Sequence, residues 1–159
     1  MRVSVTNTQR TLPVDVECID RLARCVVRRL SIRHAGTLAI IFIDGRQMRQ
    51  LNQRFLQHDR STDVLSFRYE DPSARRGLAR DSAPAWPTSG GLREAVVGEI
   101  LIDPRHARRY AAHHVIPYKQ ELARYVIHGL LHWLGHDDNT PAQQRAIRAM
   151  EDRLLACCA

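Results

Sequence analysis

The stretch HGLLHWLGHDD, His128 to Asp138, places three histidines and two aspartates within eleven residues at the end of an apolar run. At 100° per residue, Leu122, Val126, Leu130 and Trp133 fall on one side of a helix, and His128 and His132 point nearly the opposite way. The two imidazoles therefore face a cleft or solvent. Their i, i+4 spacing sets them one turn apart, close enough to share one ion. Gly135, three residues past His132, suits a left-handed helix end that swings the following chain back toward the pair. His136, Asp137 and Asp138 then offer a third ligand. Asp138, free beyond the turn, is the first choice. His136 is the runner-up, because it shares the face only if the helix runs on through Gly135, and Asp137 comes last because it can bond backbone amides in the turn. Two imidazoles and a carboxylate make the donor set of an open zinc site, with three protein ligands and one position left for water. The expectation is one Zn2+ per chain and no organic cofactor.

Gly129 follows His128 where helical metalloproteases carry the glutamate that activates water. Peptide hydrolysis thus lacks its usual base, whereas a divalent ion that acidifies water and stabilises charge on phosphate suits a phosphodiester. The charge balance agrees: 24 Lys and Arg against 17 Asp and Glu give a formal net charge of +7, which favours phosphate-rich partners. Lys119 is the single lysine, and arginines recur at Arg21, Arg24, Arg28, Arg29 and Arg33, at Arg105, Arg108 and Arg109, and at Arg145, Arg148 and Arg153. They read as solvent faces of several helices, an unspecific electrostatic footprint for RNA.

Outward from the motif, 159 residues with 44% hydrophobic content suffice for one domain with its own core. VSVTN reads as a strand. A helix follows from about Asp15 to Leu30, with Ile19, Leu22, Ala23, Val26, Val27 and Leu30 at helical spacing. TLAIIFI, Thr37 to Ile43, is a strand buried on both faces, and Asp44 caps a helix with a Met48, Leu51 and Phe55 stripe. DVLSFRYE and EAVVGEILID are two more strands. Asp103 and Pro104 start a further helix, Pro117 starts the long one that carries the motif, and Thr140, Pro141 and Gln143 form the capped start of the last. Its buried face is expected to be Ala146, Ile147, Met150, Leu154 and Leu155. The pattern predicts an α+β fold, a small mixed sheet of about four strands packed with about five helices including a zincin-like metal-binding helix. It predicts one metal-dependent hydrolase domain over residues 1–159 with a mobile insertion at about 71–93. Trp86 in that insertion reads better as a pin for the loop than as a base-stacking platform.

Cys18, Cys25, Cys157 and Cys158 lack the spacing of a zinc or redox pair and are expected to be reduced thiols. No run of about 18 apolar residues exists, and MRVSVTNTQR is too polar for the core of a signal peptide, so the expected location is the cytoplasm, away from membranes.

HGLLHWLGHDD resembles the signature of the YbeY family of bacterial endoribonucleases, His-Gly-x-Leu-His-x-x-Gly-Tyr-Asp-His. LNQRFLQHDRSTDVLSF, Leu51 to Phe67, and GEILID, Gly98 to Asp103, match that family at the expected distances, so the likeness spans about residues 37–155. The resemblance implies a cytoplasmic, zinc-dependent, single-strand-specific endoribonuclease that matures the 3′ end of small-subunit (16S) rRNA and serves ribosome quality control, with ribosomal RNA and the small ribosomal subunit as partners. It implies zinc on three histidines; His128 and His132 match, and Asp138 stands at the third place. A carboxylate there lowers the net charge of the site and makes bound water less acidic. The family arginine implicated in activity is Leu56 here, and a common lysine is His58; Arg54 or Arg60 are candidates for the missing charge. Asp63, Ser66 and Glu99 fall in the matching stretches, where capping and strand-edge bonding are roles as good as chemistry.

The preferred reading is a metal-dependent endoribonuclease. The alternative is a non-catalytic, metal-stabilised ribosome-assembly factor that binds RNA, favoured by the Asp138 and Leu56 departures. A metalloprotease ranks third because of Gly129.

Overall fold

The computed structural model describes residues 1–56, 62–69 and 96–159. The expected insertion with Trp86, and the positions His58 and Arg60, lie outside them. Four strands and five helices follow in chain order among the described residues: β1 (Arg2–Asn7), α1 (Val16–Arg29), β2 (Thr37–Phe42), α2 (Gly45–Leu56), β3 (Val64–Arg68), β4 (Val96–Ile102), α3 (Pro104–His114), α4 (Tyr118–Trp133) and α5 (Pro141–Cys158). The sheet order is β1-β2-β4-β3. β1, β2 and β4 run parallel, and β3 pairs antiparallel with β4, so the sheet is mixed and the fold is α+β, as the pattern of periods predicts.

The period of two in β2 explains the layering. Leu38, Ile40 and Phe42 join the main core with α1, α4 and α5, while Ile41 and Ile43 point to the other face and meet Met48, Leu51 and Leu65 under α2. The strand is covered on both faces, which is why its sequence is a continuous apolar run. Short polar caps fix where the helices begin. Asp15 accepts from the Cys18 amide, Asp44 from the amides of Arg46 and Gln47, and Asp103 from the Arg105 amide. Thr140 and Gln143 exchange both bonds of a capping box, and Pro141 takes the first helical position, where no amide is needed.

Two expectations fail. Cys25 on α1 and Cys158 at the end of α5 form a disulfide, their Cα atoms 5.7 Å apart, while Cys18 and Cys157 are free and exposed. Packing of α1 against α5 brings together residues 133 positions apart in sequence, a juxtaposition that spacing rules cannot see. On α5, Ala146 is exposed, and the buried face is Ile147, Leu154 and Leu155 together with an acidic residue, Glu151.

α4 is the central helix. Leu122, Ala123, Val126, Ile127, Leu130, Leu131 and Trp133 are all buried, so it is enclosed around most of its circumference. Gly129 makes its approach to the sheet close: a Cβ there would sit 2.5 Å from Cγ2 of Ile100 and 3.0 Å from Cγ1 of Val64. Ser66 on β3 fastens the contact by donating to the Gly129 carbonyl at 3.0 Å. The glycine that disfavours a metalloprotease is thus a packing requirement, and a glutamate side chain has no room there. Gly129→Ala is expected to destabilise the protein by about 1–3 kcal/mol through overpacking, measured as a lowered urea midpoint at unchanged slope.

Candidate metal centre

His128 and His132 project from α4 toward one point, with Nε2 atoms 2.9 Å apart and rings nearly perpendicular at 81°. α4 then ends as expected. Gly135 takes φ +93°, its amide donates to the His132 carbonyl at 2.9 Å, and the His136 amide donates to the Leu131 carbonyl at 3.0 Å. These are the paired bonds of a Schellman end, which needs a residue tolerant of positive φ at Gly135. The reversal leaves His136 and Asp137 exposed and carries Asp138 back over the helix end. Its Oδ2 lies 3.9 Å from Nε2 of His128 and 3.8 Å from Nε2 of His132. Gln144 in the first turns of α5 holds this return by donating to the Asp138 carbonyl at 2.9 Å.

Among the described residues, His128, His132 and Asp138 form a group able to hold a metal ion. Tetrahedral bonds of about 2.0–2.1 Å set ligand atoms about 3.3 Å apart. The observed spread of 2.9 to 3.9 Å brackets that separation, so side-chain shifts of a few tenths of an ångström adapt the group to zinc. The donor set, two imidazole nitrogens and one carboxylate oxygen, fits the same ion.

The group opens on a cavity of about 330 Å3 lined by Asp63, Tyr110, Tyr125, Gln144 and Arg148 together with His128 and Asp138. Asp63 caps the start of β3 by accepting from the Val64 amide at 3.0 Å, and it faces this cavity. Ser66 and Glu99 take structural bonds instead, Ser66 to Gly129 and Glu99 as acceptor from the Tyr69 hydroxyl at 3.0 Å. Arg54 is exposed on α2, whose apolar stripe packs on the sheet face opposite α4, and its guanidinium lies 5.9 Å from the Phe55 ring centre. It does not line this cavity.

A buried ionic cluster backs the site. Glu151 on α5, its side chain only 4% exposed, accepts from Nδ1 of His128 at 2.7 Å. Arg124 donates to Glu151 at 3.1 Å and to Asp152 at 2.7 Å, and it lies 3.6 Å from Glu121. Arg148 stands 3.6 Å from the same Glu151 oxygen. Burial opposes charge on His128, but the hydrogen bond and charge of Glu151, aided by Asp63 and Asp138, outweigh it, and the imidazole is pushed above its ordinary pKa. Burial and the neighbouring His128 push His132 below it. Sequence reasoning missed Glu151 and Arg124. The available signal was an acidic residue set between Ile147 and Leu154 on an apolar stripe, which requires a buried partner.

The wider relationships of the chain agree with this geometry. A family profile described as Endoribonuclease YbeY matches residues 4–159. The chain belongs to the YbeY family. A relative named Endoribonuclease YbeY from Salinibacter ruber is 39% identical over 118 residues, covering 74% of this chain and 68% of that one. Another of that name, from Salinispora tropica, is 28% identical over 156 residues and covers 98% and 95%. The solution structure of TM1509 from Thermotoga maritima superposes with a TM-score of 0.58 over 96% of this chain and 86% of that one; at 19% identity it shares the fold. YbeY membership places the chain among proteins described as endoribonucleases, and no helix of the described residues is long and apolar enough to cross a membrane.

Burial raises the pKa of Glu121 against the lowering effect of Arg124. The native state therefore holds this proton more tightly than the unfolded chain does, and ionising the carboxylate as pH rises to neutral costs stability. Glu121→Gln should be more stable than the wild type at pH 7 in urea unfolding. The difference should shrink as pH falls and vanish below the unfolded carboxylate pKa of about 4.3.

Proposed function

We propose that this chain is a metal-dependent endoribonuclease that holds one Zn2+ on Nε2 of His128, Nε2 of His132 and Oδ2 of Asp138 and cleaves single-stranded RNA. The observation that supports it most is the convergence of these three donor atoms, within 3.9 Å of one another, at the edge of a cavity in a chain of net charge +7. A bound ion supplies Lewis acidity toward water and toward a phosphoryl oxygen. The chain supplies the remainder. α4 fixes two ligands one turn apart, the Schellman end and Gln144 fix the third, and Tyr110, Tyr125 and Arg148 line the space where an RNA backbone and its bases enter. Arg148 is the more exposed of the two arginines in that lining, at about half exposed against 11% for Arg124, and suits a phosphate contact. The finer assignment, a cytoplasmic enzyme acting on the 3′ end of small-subunit rRNA and in ribosome quality control with the small subunit as partner, rests on family membership.

A second reading is a metal-stabilised RNA-binding assembly factor without catalysis. Asp138 in place of an imidazole supports it, since the carboxylate makes the site less electrophilic. Full zinc occupancy with intact RNA and retained binding to the small subunit would select that reading.

Purified protein should carry about one zinc per chain and cut single-stranded RNA in a reaction stopped by a chelator and restored by zinc. Asp138→Ala should lose its metal on gel filtration and with it cleavage, while His136→Ala keeps both; the reverse pattern would make His136 the ligand. For the missing family arginine, Arg54→Ala and Arg60→Ala should be compared: a drop in cleavage rate with either one, at unchanged metal content, identifies the substitute, and wild-type rates for both remove the idea.

A further inference from the structure

We infer that Glu151 is a positioning residue of the metal centre: its carboxylate holds the proton of His128 on Nδ1 and so presents the Nε2 lone pair to the ion. The inference rests on the assignment of His128 as a ligand. A neutral imidazole carries one proton on either of two nitrogens, and the hydrogen bond made by one nitrogen decides which is left to bind a metal. A carboxylate oxygen can only accept from an imidazole nitrogen unless it is itself protonated, so the 2.7 Å contact from Nδ1 to Glu151 assigns the proton to Nδ1. Nε2 of the same ring is then the atom that points at His132 and Asp138.

The carboxylate is well placed for such a task because it is itself immobilised. Its second oxygen accepts from Arg124, which is braced by Asp152 and Glu121, and Arg148 approaches it from the exposed side. Its position in the fold argues against a purely architectural role. Glu151 lies between Ile147 and Leu154 on the buried stripe of α5, where an apolar residue of similar volume would pack without the cost of desolvating a charge. Arg124 does not depend on it, having Asp152 at 2.7 Å. The hydrogen bond that Glu151 alone supplies is the one to His128 at 2.7 Å, with Arg148 standing farther off at 3.6 Å.

The test compares Glu151→Gln, Asp152→Asn and His128→Ala by competition for zinc against a chromophoric chelator, with thermal unfolding of the metal-free proteins alongside. Glutamine can still accept from Nδ1, but it can also turn its amide nitrogen to Nδ1 and stabilise the wrong tautomer. Glu151→Gln should therefore bind zinc about 10- to 100-fold more weakly at a melting temperature close to wild type. Asp152→Asn disturbs the same ionic cluster without touching the imidazole and should bind within about twofold of wild type, a loss too small for an outer-shell role. Long-range 1H–15N spectra of the zinc-loaded wild type give a reading that needs no stable Glu151 variant: His128 should show a protonated Nδ1 and a metal-bound Nε2. Wild-type zinc affinity in Glu151→Gln, equal losses in Glu151→Gln and Asp152→Asn, or zinc on Nδ1 would overturn the inference. His128→Ala separates the two levels. If it binds zinc like the wild type, the ligand assignment fails; if it loses zinc while Glu151→Gln does not, only the role of Glu151 fails.

Discussion

The close contact of α4 with β4 and β3 governs the rest of the structure. Burying Leu122, Val126, Ile127, Leu130, Leu131 and Trp133 contributes about 1.5–3 kcal/mol for each large side chain, against the few tenths available from pairs on the helix surface. Packing therefore sets the rotation of the helix about its axis. With Gly129 against Ile100 and its carbonyl bonded by Ser66, one rotation fits, and that rotation aims His128 toward α5 and the cavity and sets His132 beside it, facing Asp138. The site is a by-product of how the core is built, which is why a glycine can serve it without touching an ion.

The two imidazoles are equivalent in the sequence motif and unequal in the structure. His128 sits deeper, with a carboxylate on each side of its ring, Glu151 at Nδ1 and Asp138 near Nε2, and its charged form is favoured despite burial. His132 has Asp138 but no Glu151, and it feels the charge of His128, so its charged form is disfavoured. Neighbouring titratable groups pushed in opposite directions recur at functional sites. Here the asymmetry has a structural origin in α5. It supplies a carboxylate to one ring only, because the apolar stripe around Ile147 and Leu154 docks beside His128.

Local chemistry made much of this legible in the sequence. Asp15, Asp44, Asp103 and Thr140 start helices through bonds to amides two or three residues away, and the turn at Gly135 is a property of one residue's backbone freedom. The apolar run of β2, read as buried on both faces, and the helical stripes of α1 and α2 named residues that fall in the two cores. What was hidden depends on tertiary approach. The Cys25–Cys158 pair needs α1 against α5, and the Glu151–His128 bond needs α5 rotated so that position 151 is buried and Ala146 is not. A one-residue choice at the edge of a helical stripe decides between those faces, and the apolar pattern alone favoured alanine over glutamate. The strand order β1-β2-β4-β3 was likewise a matter of which strands meet, whereas the existence of the strands and the mixed character of the sheet were expected.

The proposed third donor shows how connection and chemistry meet. Asp138 is equidistant from the two Nε2 atoms because the Schellman end and the Gln144 bond fix the chain on both sides of it; a side chain on a continued helix, such as His136 would be, has no such constraint. The choice of a carboxylate has an electrostatic consequence. With a divalent ion held there, the site carries one positive charge fewer than a site of three neutral imidazoles. At about 4 Å and an effective dielectric constant near 20, one unit charge is worth about 4 kcal/mol toward a phosphate. An exposed arginine on the cavity wall contributes about 1 kcal/mol or less in such a setting, so Arg148 offsets only part of the difference. In the proposed reading, tight capture of RNA by this site draws on further basic side chains besides Arg148, and a chain with 24 basic residues and a single lysine supplies them mainly as arginine.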